Sequence, residues 1–241
     1  MKNTFSLKKA FSFGFKAAWN NLGSLVATWL IMAAAGLPTL VGLIAFARYH
    51  GIEMAQLSAY LSVRGMTPFN AVSYLGWFSA GMFLSTLLWA LITPGLYKMA
   101  LDVYAIGQCS YKSLFTQVRT AGSIWLLYTL PPYIALAVSQ ELMGISAMSF
   151  EYRILSVFYA TVWFWVYGAV PFLLVDNKIG ISDVLLNRQW KKTLMTIIDY
   201  KWILLGFISA CVYSFAPVLY FVALFAQAYA YRQLFTEDVT V

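Results

Sequence analysis

The sequence predicts an all-α fold, a polytopic transmembrane helix bundle of about six spans with cytoplasmic amphipathic helices, and three observations predict it. Of the 241 residues, 61% are hydrophobic and 10% are charged, against roughly 45–50% apolar and about 25% charged in an ordinary soluble domain. The charges are also bunched, leaving uncharged runs that match the ~20 apolar residues a helix needs to cross a bilayer. Cations, finally, are distributed unequally between alternate connections, as they are when one side of the membrane is cytoplasmic. At ~20 residues per span, one integral domain over 1–241 uses up the chain.

In chain order, residues 5–19 read as an interfacial amphipathic helix. Lys2, Lys8, Lys9 and Lys16 precede or punctuate it, and Leu7, Phe11, Phe15 and Ala18 share one face at helical spacing. The first span covers about 22–47. Leu22 to Ala47 is 26 residues without a charge, too long for the apolar core of a signal peptide at about 7–15 residues, so it reads as a retained helix bent near Pro38. Arg48 to Asn70 is polar and holds the only histidine, His50. A lone histidine without companion ligands is a loop residue rather than a metal site. The second span, about 71–97, ends in Thr93, Pro94 and Gly95, followed by Lys98 and Asp102.

A second amphipathic helix is expected over 112–122, with Leu114, Val118, Ala121 and Trp125 in its stripe. The third span, about 123–143, contains Pro131 and Pro132, which remove two backbone donors within one turn and predict a kink or break. The fourth, about 154–175, is interrupted by Pro171 just before Asp176. Residues 182–198 form the third amphipathic helix, with Leu186, Trp190, Leu194 and Ile197 on one side and Arg188, Lys191, Lys192 and Thr196 on the other. Trp202 to Tyr231 is 30 uncharged residues, roughly 45 Å as one helix against a core of about 30 Å. With Ser214 and Pro217 near its middle, it reads as two short helices, about 199–214 and 216–231, rather than one tilted helix.

With the N-terminus inside, the cytoplasmic segments carry Lys2, Lys8, Lys9, Lys16, Lys98, Lys112, Arg119, Lys178, Arg188, Lys191, Lys192 and Lys201, which is twelve cations. The outer loops carry Arg48, Arg64 and Arg153. That asymmetry predicts a cytoplasmic (inner) membrane protein with both termini in the cytoplasm. The three amphipathic stripes, beginning at Leu7, Leu114 and Leu186, each precede a pair of spans whose second member carries a proline, Pro94, Pro171 or Pro217. This suggests a threefold repeat of amphipathic helix plus hairpin.

The phrases FKAAWNNLGSL, PFLLVDNKIGISDVLLN and AYAYRQL resemble uncharacterised six-helix bacterial membrane proteins related to the membrane domain of glycerophosphodiester phosphodiesterases. The resemblance implies a multi-pass cytoplasmic-membrane protein without an established activity, and none of its motifs is catalytic.

Chemistry-bearing residues are sparse. Cys109 lies in a polar connection and Cys211 within an apolar run, with no CxxC spacing. No acidic pair falls inside a span, so neither catalysis nor a metal or other cofactor is expected. The net charge of +7 is spread over short connections rather than over a basic surface domain, which argues against nucleic acid and for anionic membrane lipids. Asp102 and Asp176 are expected as inner-surface anchors, capping a helix or pairing with Lys98 and Lys178, with a buried proton relay as the alternative. The leading functional reading is a non-catalytic scaffold, assembly or docking protein that engages lipid, a protein partner or a second copy through Arg188, Trp190, Lys191 and Lys192. The second is a permease for a neutral or amphipathic solute, worked by helices broken at Pro94, Pro131, Pro132, Pro171 and Pro217.

Overall fold

The computed structural model describes residues 5–49, 51, 76–145, 149–176 and 200–235. Among them every regular element is helical. The first helix, α1 (Leu7–Asn20), starts where the Ser6 side chain accepts a hydrogen bond from the Lys9 amide. It gives way at Asn21 to α2 (Leu22–Tyr49), 28 residues long. After the undescribed stretch comes α3 (Gly76–Ile106), 31 residues. Two 3-10 turns follow, Tyr111–Phe115 and Val118–Thr120, and then a composite helix: α4 (Ala121–Ile124), a π turn (Trp125–Thr129) and α5 (Leu130–Met143). Next stand α6 (Phe150–Tyr167), the short α7 (Val170–Val175), α8 (Tyr200–Phe215) and α9 (Tyr220–Phe235), with a 3-10 turn, Pro217–Leu219, between the last two.

Among the described residues, three helical stretches are long and apolar enough to cross a membrane: Leu22–Tyr49, Ala80–Ile106 and Val118–Met143. The 16 residues each of α8 and α9 reach only about 24 Å at 1.5 Å per residue. The run from Trp202 to Tyr231 is therefore two helices with Ala216 and a 3-10 turn between them.

The core forms around α9. Phe221 to Ala228, with Ala230 and Tyr231, are all buried. Its alternation of alanine with aromatic residues explains why: the small positions admit other backbones, and the rings fill the remaining space. Helix α1 packs along α9 through Ala10, Gly14 and Ala17, which are buried, and a methyl group on Gly14 would strike the Val222 carbonyl oxygen. Of the expected stripe, Leu7, Phe11 and Ala18 are half-buried and pack against the core while Phe15 is exposed, and the small residues beside it are what let the α9 backbone come close. Helices α2 and α3 pack together with Thr39 opposite Gly81 and Ser85, and α6 and α8 run antiparallel, with Phe150 beside Phe215 and Phe164 stacked on Trp202.

The prolines act less uniformly than expected. Pro38 and Pro94 lie inside continuous helices. Next to Pro38, the Thr39 amide donates to Ser85 Oγ at 3.0 Å, so a neighbouring helix satisfies backbone polarity near the proline. Pro131 and Pro132 occupy the first turn of α5 within the composite helix, and the irregularity they accompany is the π turn just before them. Pro171 likewise sits in the first turn of α7, after the interruption at Gly168–Ala169, and Pro217 opens the 3-10 turn before α9. The stretch 112–122 is a correction too. It consists of two 3-10 turns leading into α4, and only Leu114 and Ala121 of its stripe are buried.

Candidate functional site

Several of the polar side chains that join separate parts of the chain gather near the C-terminal ends of α3 and α9. Asp102, one turn before the end of α3, accepts from Lys98 Nζ at 2.7 Å and from Ser113 Oγ at 3.3 Å. It thus ties the Tyr111–Phe115 turn to the helix. The turn can lie that close because a methyl on Gly95 would collide with the Leu114 backbone; glycine is the side chain the approach permits.

Asp176 stands at the C-terminal cap of α7. Its carboxylate accepts both arms of the Arg232 guanidinium, at 2.9 and 3.0 Å, and the Tyr231 hydroxyl at 3.3 Å. The bidentate fork is the stronger form of this pair. Both side chains are 18% exposed. Beneath it, the Tyr231 ring stacks on Phe172 at 5.1 Å, and Phe172 meets Tyr97 edge-on at 5.0 Å. Asp176 therefore links α7 to α9 across 56 residues of chain, with Phe172 packed under the link. Lys178, its expected partner, lies outside the described residues, as do Arg188, Trp190, Lys191, Lys192 and His50.

The sequence reading missed a third junction. Asn21, buried between α1 and α2, donates from Nδ2 to the carbonyls of Ala17 (2.8 Å) and Gly107 (3.2 Å), while its Oδ1 accepts from the Cys109 amide (2.9 Å). Ser24 Oγ donates to the Cys109 carbonyl at 2.9 Å. Two side chains thus satisfy the backbone of the connection after α3. A signal was present: in the phrase NNLGSL an amide follows a helix with no charge or glycine to end it. Nearby, Gln233 Nε2 donates to Tyr104 Oη at 3.0 Å, joining α9 to α3.

Burial pushes the Cys109 thiol up to about 11, with the Asp102 charge adding to the shift and hydrogen bonding opposing it. The neutral thiol is therefore favoured, and little reactive thiolate exists near pH 8. In a Cys211→Ser background, Asn21→Ala should release the connection and speed alkylation of Cys109 about tenfold, the ratio that ~1.4 kcal/mol represents. In the Cys211→Ser parent, with Asn21 intact, the rate should climb as pH rises towards 11. An unchanged rate in the alanine variant would mean that Asn21 does not hold this segment.

On the outer side, α6 and α8 leave a groove of about 540 Å³ whose lining includes Ile154, Phe158, Thr161, Trp165, Phe207 and Cys211. Thr161 Oγ1 donates to the Val157 carbonyl of its own helix at 2.7 Å, so its polarity is turned inward and the groove presents hydrocarbon. Among the described residues no group of three or more His, Cys, Asp or Glu side chains could hold a metal ion. Compared with known proteins, the chain matches no family model, no curated protein and no solved structure.

Proposed function

We propose that this is a multi-pass cytoplasmic-membrane protein, with about six spans and both termini inside, that acts without catalysis by docking lipid or a partner on its surface. The observation that supports this reading best is where the space lies. The interior helix α9 is filled from Phe221 to Tyr231, whereas the groove between α6 and α8 opens outward and is apolar. The three stretches long and apolar enough to span and the excess of cations in alternate connections agree with the placement. The polar junctions at Asp102, Asp176 and Asn21 then lie at the inner surface, where the basic stretch between α7 and α8 also emerges.

In this reading Arg188, Lys191 and Lys192 face anionic head groups while Trp190 dips into the interface, and each cation contributes about 1 kcal/mol near an anionic leaflet. The test keeps Trp190 as the sole tryptophan in the full chain, reconstituted in vesicles. Its emission should move to the blue in phosphatidylglycerol relative to phosphatidylcholine, and reversing the three cations to glutamate should abolish the difference. Equal emission in both lipids would remove this reading of the segment. A reporter fused at Val241 reads the orientation and should report cytoplasm.

A further inference from the structure

We propose that the interior holds a binding site for a small uncharged ligand whose flat ring carries carbonyl oxygens, as a quinone head group does, framed by Tyr97, Tyr128, Tyr213 and Tyr220. The four come from different parts of the chain. Tyr97 of α3 meets Tyr128 edge-on at 6.3 Å, and Tyr213 of α8 lies against Tyr220 at 4.9 Å. The two pairs are within electrostatic reach of one another. Gln227 of α9, 2% exposed, donates from Nε2 to Tyr213 Oη at 2.9 Å. Two of the rings stand where a helix is broken: Tyr128 in the π turn, and Tyr220 just after the Pro217–Leu219 turn. Such discontinuities recur where membrane proteins hold ligands.

The hydrogen-bond count selects the ligand. With the Tyr97 and Tyr128 hydroxyls bonded to each other, one of that pair keeps its proton. Tyr213 accepts from Gln227 and so keeps its own, and Tyr220 makes no hydrogen bond to a described residue. Against these three protons stands one strong acceptor, Gln227 Oε1, because a phenol donates readily but shares its oxygen lone pair with the ring. Two donors are left over. Water would bring two more donors along with its acceptors and leave the surplus unchanged, whereas carbonyl oxygens bring acceptors alone. An anion would lack a counterion, since Lys98, next to Tyr97 in the chain, is paired with Asp102, and Arg232 with Asp176. The neighbours are flat as well: Trp29 lies 6.5 Å from Tyr220, and Phe172 lies 5.0 Å from Tyr97. Space remains beside the rings, because Tyr128, Tyr213 and Tyr220 are only half-buried although their hydroxyls lie deep among the helices. An entrance adjoins it at the turn before Tyr220, where Val218 and Leu219 are exposed.

This site is separate from the surface docking proposed above, and neither Trp190 nor the α6–α8 groove takes part in it. The test is native mass spectrometry of the full chain in mild detergent, titrated with a ubiquinone that carries a single isoprene unit. One quinone should bind per chain and raise its melting temperature. Tyr128→Phe and Tyr220→Phe each keep the ring and remove a donor. Each should weaken binding about tenfold without changing the melting temperature of the ligand-free protein. Tyr111→Phe, in the 3-10 turn after α3, should bind as the parent does. Glycerol, which brings donors as well as acceptors, should not displace the quinone. Adducts that accumulate without a plateau, or equal binding in both phenylalanine variants, would mean that the quinone merely dissolves in the detergent and would overturn the proposal. So would displacement by glycerol, since the site would then suit a hydroxylated solute.

Discussion

Arg232→Ala is expected to destabilise the folded chain by about 3 kcal/mol, the lower end of the range for breaking a buried ion pair, because both partners retain some contact with water. The guanidinium does two jobs at Asp176, neutralising the carboxylate and fixing it with two short hydrogen bonds. Its removal leaves a negative charge over the Phe172–Tyr231 stack. Asp176→Ala should cost a similar amount by removing both acceptors of the fork. The double replacement Asp176→Leu with Arg232→Met should recover most of the loss, since neither charge then remains to be solvated. Thermal unfolding of the four proteins in one detergent gives the cycle. Single variants that melt within a degree of the parent would show that the fork carries no net stability.

Trp202→Ala should cost more, about 3–5 kcal/mol. Trp202 is 1% exposed and stacks on Phe164 at 4.7 Å. Gly206, one turn further along α8, lies against the same ring, since a methyl there would enter it. Deleting the indole therefore empties the joint where α6 meets α8, and the close contact at Gly206 limits how far Phe164 can move to fill it. Trp202→Phe should retain more than half of the stability. The same melting experiment decides it, and an alanine variant as stable as the phenylalanine one would mean that the site collapses freely.

The apolar runs were legible because the length of an uncharged segment is a direct statement about a bilayer. That is how the all-helical class and the stretch over Leu22–Tyr49 could be read. What could not be read was which faces touch. On α1 the stripe of Leu7, Phe11, Phe15 and Ala18 was visible, but not that Ala10, Gly14 and Ala17 are the fully buried positions, because a hydropathy period does not mark the small residues that let α9 approach. Residues 112–122 looked helical at a period of 3.6, while the fold winds them at about three per turn to reach Asp102 and Gly95. Nothing local marks Arg232; its role depends on a partner 56 residues away, which no local pattern encodes. The π turn at Trp125–Thr129 left no trace beyond the two prolines after it.

The place of α9 in the core sets an order for biogenesis. Gly14 is made early, but the surface it meets, at Val222, leaves the ribosome about 200 residues later. At ~5–20 residues per second the delay is roughly 10–40 s. For that interval α1 has its small-residue face without its partner, and Tyr104 lacks the glutamine that bonds it. The contacts that α9 makes with α1 and α3 therefore form only once α9 itself has been made. A ribosome that stalls before residue 220 would release a product with intact early helices and no centre, a natural substrate for membrane proteolysis.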